Sequence, residues 1–191
     1  MRPPRQERSR EGWERILAVG IELLESGGWE ALTITEVCRR TGVSPPTIYA
    51  RVDGRQGLFD AVYDVAMERV RATQLQWQDL ATGESDVERV AHVMWRIFET
   101  HFALLRAVIR HSSSSSALLE RGSEESVAML SSLAGLLRHS DREAVDDVLR
   151  MMYAECVMRL MYGPEFLTRR PEPAEDFLVR LTAMGRARLD V

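Results

Sequence analysis

The chain has 191 residues, 45% of them hydrophobic, and a formal net charge of −4. That supports one domain with a sizeable core, or a small module fused to a larger one. No apolar run reaches the roughly eighteen residues of a membrane span, and the opening Met1–Trp13 stretch is charged without an apolar centre, so membrane and secretion are not expected and the expected location is cytoplasmic.

Cys38 and Cys156 both sit in helical apolar patterns, with no Cys-x-x-Cys spacing; they read as reduced side chains rather than a disulfide. All 25 basic residues are arginine, and lysine and asparagine are absent, which fits the codon bias of a GC-rich genome more simply than a demand for guanidinium. The acidic balance alone argues against a nucleic-acid partner, but it is uneven. Residues 1–58 hold nine Arg against eight acids, the remainder sixteen against twenty-one. Arg2, Arg5, Arg8 and Arg10 crowd the first ten residues against Glu7. This is either a basic arm able to follow a phosphate backbone or minor groove, or a solvated terminus.

In chain order, Trp13, Ile16, Leu17, Ile21, Leu23 and Leu24 recur mostly at helical spacing over 11–26, and Gly27-Gly28 stop the pattern. Trp29 is expected under that break. Thr33 reads as the cap of a helix with Ile34, Val37 and Cys38 on its apolar face, and Glu36 completes a capping box. Gly42 stands where a helix ends left-handed, with Val43 packing back on the turn. Ser44 is the next expected cap, with Pro45 and Pro46 in the first turn, of a short helix to about Arg51 carrying Thr47, Tyr49 and Arg51. So short and polar a helix is not explained by its own burial. It reads as the second helix of a helix-turn-helix, placed to enter a major groove.

A longer helix is expected over 54–78, then a turn at 81–84, with Ser85 or Asp86 capping the succeeding helix. That stretch, to about His111, is strongly amphipathic, in one piece or broken near Thr100-His101. The five serines 112–116 read as a mobile linker. Further helices are expected over 117–139 (whole, or interrupted at Gly122), over 141–162 with Asp141 as cap and Gly163-Pro164 as stop, and over 174–189 after a proline-rich loop. No strand pattern competes, so the expected fold is all-α, about nine helices. The expected division is a helix-turn-helix domain at 1–54 and a helical effector-binding and dimerisation domain at 55–191.

The run GGWEALTITEVCRRTGVSPPTIYARVDGRQGL, with Thr33, the Gly42-Val43-Ser44 turn, Thr47-Ile48-Tyr49, and Arg55 followed by Leu58, resembles the TetR family of bacterial transcriptional regulators. The resemblance covers about residues 11–70. Arg51-Val52 departs from the family's usual aromatic or His pairing after the tyrosine, Arg55 replaces a lysine, Gly20 stands where alanine is commoner, and Trp13 where a basic residue often stands.

The resemblance implies that Thr33, Tyr49 and Arg55 contact phosphates and that Ser44, Pro45, Pro46, Thr47 and Arg51 face base edges or the groove wall, Arg51 being able to read guanine bidentately. Arg39 and Arg40 read better as a solvated face. The second half is expected to bind a small molecule in an apolar and aromatic cavity, with His92, Trp95, Phe98, Met129 and Tyr153 as lining residues. His92 and Trp95 share a helix face at i, i+3 spacing. The last two long helices are the expected homodimer surface, through Val145, Val148, Leu149, Met152, Cys156, Leu160, Phe177, Leu178, Leu181 and Met184.

The reading that results is a ligand-responsive repressor binding palindromic double-stranded operator DNA as a homodimer, with no metal and no cofactor. One alternative is a helix-turn-helix protein without an effector. The other is an all-α enzyme such as a di-iron bundle, but no histidine among His92, His101, His111 and His139 has a Glu three residues before it. No enzymatic activity is expected.

Overall fold

The computed structural model describes residues 5–80, 85–166 and 168–189, the backbone alone for 5–8. Arg2 and the side chains of Arg5 and Arg8 therefore lie outside the described residues, as does the expected turn at 81–84. Of the basic arm, Arg10 is described, paired with Glu14 at 3.4 Å.

Among the described residues the fold is all-α, with nine helices. They are α1 (Arg5–Ala31), α2 (Ile34–Thr41), α3 (Pro45–Tyr49), α4 (Gly54–Leu80), α5 (Asp86–Thr100), α6 (Phe102–Ser112), α7 (Ser116–Ala134), α8 (Arg142–Tyr162) and α9 (Ala174–Leu189). None of them is long and apolar enough to cross a membrane. The predicted stop at Gly27-Gly28 is a break rather than an end: Gly28 takes φ 65°, ψ −160°, and a last helical turn bearing Trp29 comes after it. Left-handed φ of this kind is where glycine costs least. A break at His101 divides α5 from α6, one of the two forms the sequence pattern allowed. Gly122 does not interrupt α7.

The serine run differs from its expectation. Ser112 ends α6, Ser116 starts α7, and only 113–115 lie between. The Ser112 hydroxyl donates to the Val108 carbonyl at 2.9 Å, and those of Ser113 and Ser114 donate to the Arg110 and His111 carbonyls at 2.8 and 2.7 Å. Serines that compete with the backbone in mid-helix here satisfy the carbonyls a helix end leaves open.

Two compact units emerge. The first combines 1–69 with 103–116, the second 70–102 with 117–191. In the first, Ile16, Ile21, Leu23 and Leu24 of α1 are buried, as are Val37, Ile48, Leu58, Phe59, Val62 and, from α6, Leu104 and Val108. Gly20 explains why alanine is not used: a Cβ there would overlap the Val62 side chain of α4. In the second, α5, α8 and α9 pack on one another. Gly185 of α9 sits so close that a Cβ would come within 2.6 Å of Met152 Cε and 2.7 Å of Val87 Cγ1. The second half of α4 joins α7 through Arg71–Glu125 at 2.7 Å and Gln78–Ser132 at 3.0 Å.

The apolar stripes of α8 and α9 are core, not surface. Val145, Val148, Leu149, Met152, Cys156, Leu160, Phe177 and Leu181 are each at most 2% exposed within the single chain. Only Leu178 and Met184 of the expected stripe remain partly open. A periodic stripe reports that a helix face is buried, not what buries it.

Candidate nucleic-acid interface

The helix-turn-helix is built by local chemistry. Thr33 is extended (φ −120°, ψ 149°) and its hydroxyl accepts from the Glu36 N–H at 3.1 Å, the predicted cap. The reciprocal half of the capping box is not made. The Glu36 carboxylate instead takes both arginines on its C-terminal side, Arg39 (2.6 and 2.8 Å) and Arg40 (2.8 Å). Those bonds, Arg39's first, pull its pKa down to about 2. Glu36 is drawn by two cations at i+3 and i+4 rather than by one backbone N–H. Gly42 ends α2 left-handed at φ 71°, its N–H donating to the Cys38 carbonyl.

Ser44 starts α3 in extended backbone, yet its hydroxyl makes no cap bond. It pairs with the Thr47 hydroxyl at 2.9 Å, while the Thr47 N–H bonds the Ser44 carbonyl at 3.0 Å. Pro45 fills the position whose N–H would be orphaned in any case. α3 is five residues, shorter than predicted, and far below the roughly 12–15 residues an isolated helix needs. Its one buried side chain is Ile48, fully enclosed, worth about 1.5–3 kcal/mol. Around that anchor Ser44, Pro45, Pro46, Thr47, Ala50 and Arg51 are wholly or partly exposed, and Tyr49 is 57% exposed. An exposed tyrosine on a pinned turn of helix presents a hydroxyl donor at the surface.

Arg51 and Arg55 are held against the protein. One Arg51 nitrogen donates to the Ser9 hydroxyl (2.8 Å) and carbonyl (3.1 Å), and its guanidinium lies 5.1 Å from the Trp13 ring. Arg55 donates to the carbonyls of Leu32 (2.7 Å) and Trp29, and covers the Trp29 ring at 4.0 Å. It joins the two ends of the α1–α2 connection. Sequence spacing could not show either partner, since Arg51 and Ser9 are 42 residues apart.

The five residues expected to line an effector cavity fall in two places within the second unit. Trp95 packs edge-on to Phe177 at 5.1 Å, with Arg159 5.2 Å from its ring. Phe98 meets Tyr153 at 5.5 Å, and the Tyr153 hydroxyl pairs with Ser126 of α7 at 2.7 Å. The Met129 carbonyl accepts from Gln74 at 3.4 Å, and His92 is half-buried on α5. A cavity of about 30 Å³ adjoins the first place, sharing Phe177 and Arg159 with it and lined also by Met158, Phe166, Glu172 and Arg180, with none of the five expected residues in its wall. It holds a water or two, against about 300 Å³ or more for a ligand pocket.

A capped α2, a left-handed turn at glycine and an exposed polar α3 pinned by one isoleucine define a helix-turn-helix DNA-binding module. Residues 16–62 match the model of the bacterial regulatory proteins of the tetR family. Over that stretch the chain is similar to the DNA-binding region of that family of transcriptional regulators. No curated protein matches the chain. Among solved structures, a transcriptional regulator from Rhodococcus sp. Rha1 superposes with TM-score 0.74 at 15% identity, over 93% of this chain and 95% of that one. A TetR-family regulator from Rhodococcus sp. gives 0.66 at 17% identity over 94% and 99%. A regulator of the TerR/AcrR family from Aquifex aeolicus VF5 gives 0.61 at 12% identity over 94% and 98%. At these identities the likeness is one of fold.

Proposed function

We propose that the chain is a repressor that binds a palindromic operator as a homodimer in the cytoplasm and releases it when a small molecule binds. The observation that carries the DNA half is the exposed reader, Ser44 to Arg51, fixed by Ile48 and opened by Gly42. Thr33 and Tyr49 contact phosphates; Ser44, Pro45, Pro46 and Thr47 face the groove. Arg51 reaches bases only by leaving Ser9 and Trp13, and Arg55 meets a phosphate only with what its bonds to Leu32 and Trp29 leave free. The functional division is residues 1–54 for reading and 55–191 for effector and dimer.

The dimer pairs the outer faces of α8 and α9, where Met158, Met161, Tyr162, Leu178 and Val179 stay wholly or partly exposed and Val179 is 71% open. Two readers then meet successive major grooves. The effector enters beside Trp95 and His92 or beside Phe98, Met129 and Tyr153, and in either place it must part an aromatic pair. A regulator without an effector is the second reading, favoured by the same closed pairs, Trp95–Phe177 and Phe98–Tyr153.

The test is a fluorescence titration with the intergenic DNA upstream of the chain's own gene. Binding that weakens steeply with salt supports the reading. Absent or salt-insensitive binding at low salt defeats it. A panel of small molecules that raises the melting temperature and dissociates DNA separates the first reading from the second.

A further inference from the structure

His111 occupies a place that DNA reading does not use. It lies in the last turn of α6, in the same compact unit as α1 and the start of α4. Its imidazole stacks flat on Trp29 (4.0 Å between centroids, 10° between planes) and meets Phe59 of α4 edge-on at 4.6 Å. Its Nε2 is buried and has no hydrogen-bond partner among the described residues. A histidine in an apolar stack with one nitrogen unanswered is costly as a packing choice, and phenylalanine would fill the place without that cost. What histidine adds is a proton site in the physiological range.

We propose that His111 is a proton-operated latch that holds α6 on the Trp29–Phe59 face when neutral and releases it when charged. The surroundings favour the neutral ring. Burial lowers its pKa first, and the nearby Arg55 guanidinium of α4 lowers it further, opposed by Glu30 of α1 and Asp60 of α4. The same Arg55 covers Trp29 and ties the Trp29 and Leu32 carbonyls together at the entry to α2. A charge on His111 therefore repels the side chain that braces the helix-turn-helix, and removes the stack that holds α6 beside it. A pKa depressed in the folded state gives stability that is complete above the ordinary histidine value, about 6.5, and is lost as pH falls below it. The consequence for function rests on the reading proposed above: DNA affinity falls on acidification.

The test compares the full-length chain with His111→Phe and His111→Gln, neither of which can titrate there. Melting temperature is followed from about pH 7.5 to about pH 5.5, and the His111 ring protons are followed by NMR over the same range. The parent should lose melting temperature on acidification more than either variant does, with His111 titrating below the ordinary histidine range. If one variant fails to fold, the other still carries the comparison. Equal acid sensitivity in parent and variants, or an ordinary titration of His111, overturns the latch. In a second arm, duplexes selected from a random pool at neutral pH are titrated at both ends of the range. The parent should lose affinity by about tenfold more than His111→Phe; equal losses overturn the link to the reader. If no duplex is selected at all, the DNA-binding reading fails, and the first arm decides the latch by itself.

Discussion

Tyr49 and Gly20 show how differently one side chain can matter. Tyr49 is held at the surface by a helix whose only buried residue is Ile48, so removing its ring leaves the core untouched. In the proposed complex Tyr49→Ala should weaken DNA binding about tenfold or more, as one hydrogen bond to a charged phosphate would be lost, with unchanged helicity by circular dichroism. At Gly20 two effects compete. Alanine would add about 1 kcal/mol of helix propensity, but its Cβ overlaps Val62, a stiff branched side chain, and overpacking costs about 1–3 kcal/mol. Gly20→Ala should therefore be destabilised by about 1 kcal/mol in urea unfolding, although alanine is the commoner residue there among the proteins this region resembles.

At the scale of the element, caps and loop clasps decide. Thr33 supplies a side-chain bond to the α2 amino end, and Thr33→Ala should cost about 0.5–2 kcal/mol in stability measured by denaturant. The same variant removes a phosphate contact in the proposed complex, so its loss of DNA affinity should exceed its loss of stability. The proline-rich loop between α8 and α9 is held by Glu172, which takes Arg180 at 2.8 and 3.1 Å and Arg159 at 3.1 Å. Its carboxyl is kept below the ordinary range by Arg180's hydrogen bonds first, against burial, with the charges of Arg180 and Arg159 assisting. A depressed folded pKa means this contribution is whole above the unfolded value of about 4.3 and fades as pH falls below it. Glu172→Gln should cost about 2 kcal/mol at neutral pH and flatten the acid limb of a stability-against-pH curve.

For the whole molecule, the dimer is the decisive quantity. Analytical ultracentrifugation should show two chains, and Val179→Arg, at a residue of α9 that is 71% exposed, should return a monomer with its melting curve intact. A monomeric parent would defeat the proposed pairing. The elements themselves were legible in the sequence because their signals are local. The Thr33 cap, the Gly42 turn, the Asp141 cap and the Gly163 stop all act within a few residues and stand where their patterns placed them, and of the two caps the pattern offered for α5 the structure uses Ser85. What the pattern could not show is which partner answers each side chain. Periodicity marked the α8 and α9 stripes as buried, but only the packing of α5, α8 and α9 assigned that burial to the chain's own core. Likewise Glu36 had a backbone N–H and two arginines within reach, and Arg51 had solvent or bases or Ser9; burial and distance decided between them. His111, unremarked as a site in the sequence, acquires its stack on Trp29 from a helix far earlier in the chain, because contacts between helices depend on three-dimensional closure that no local spacing encodes.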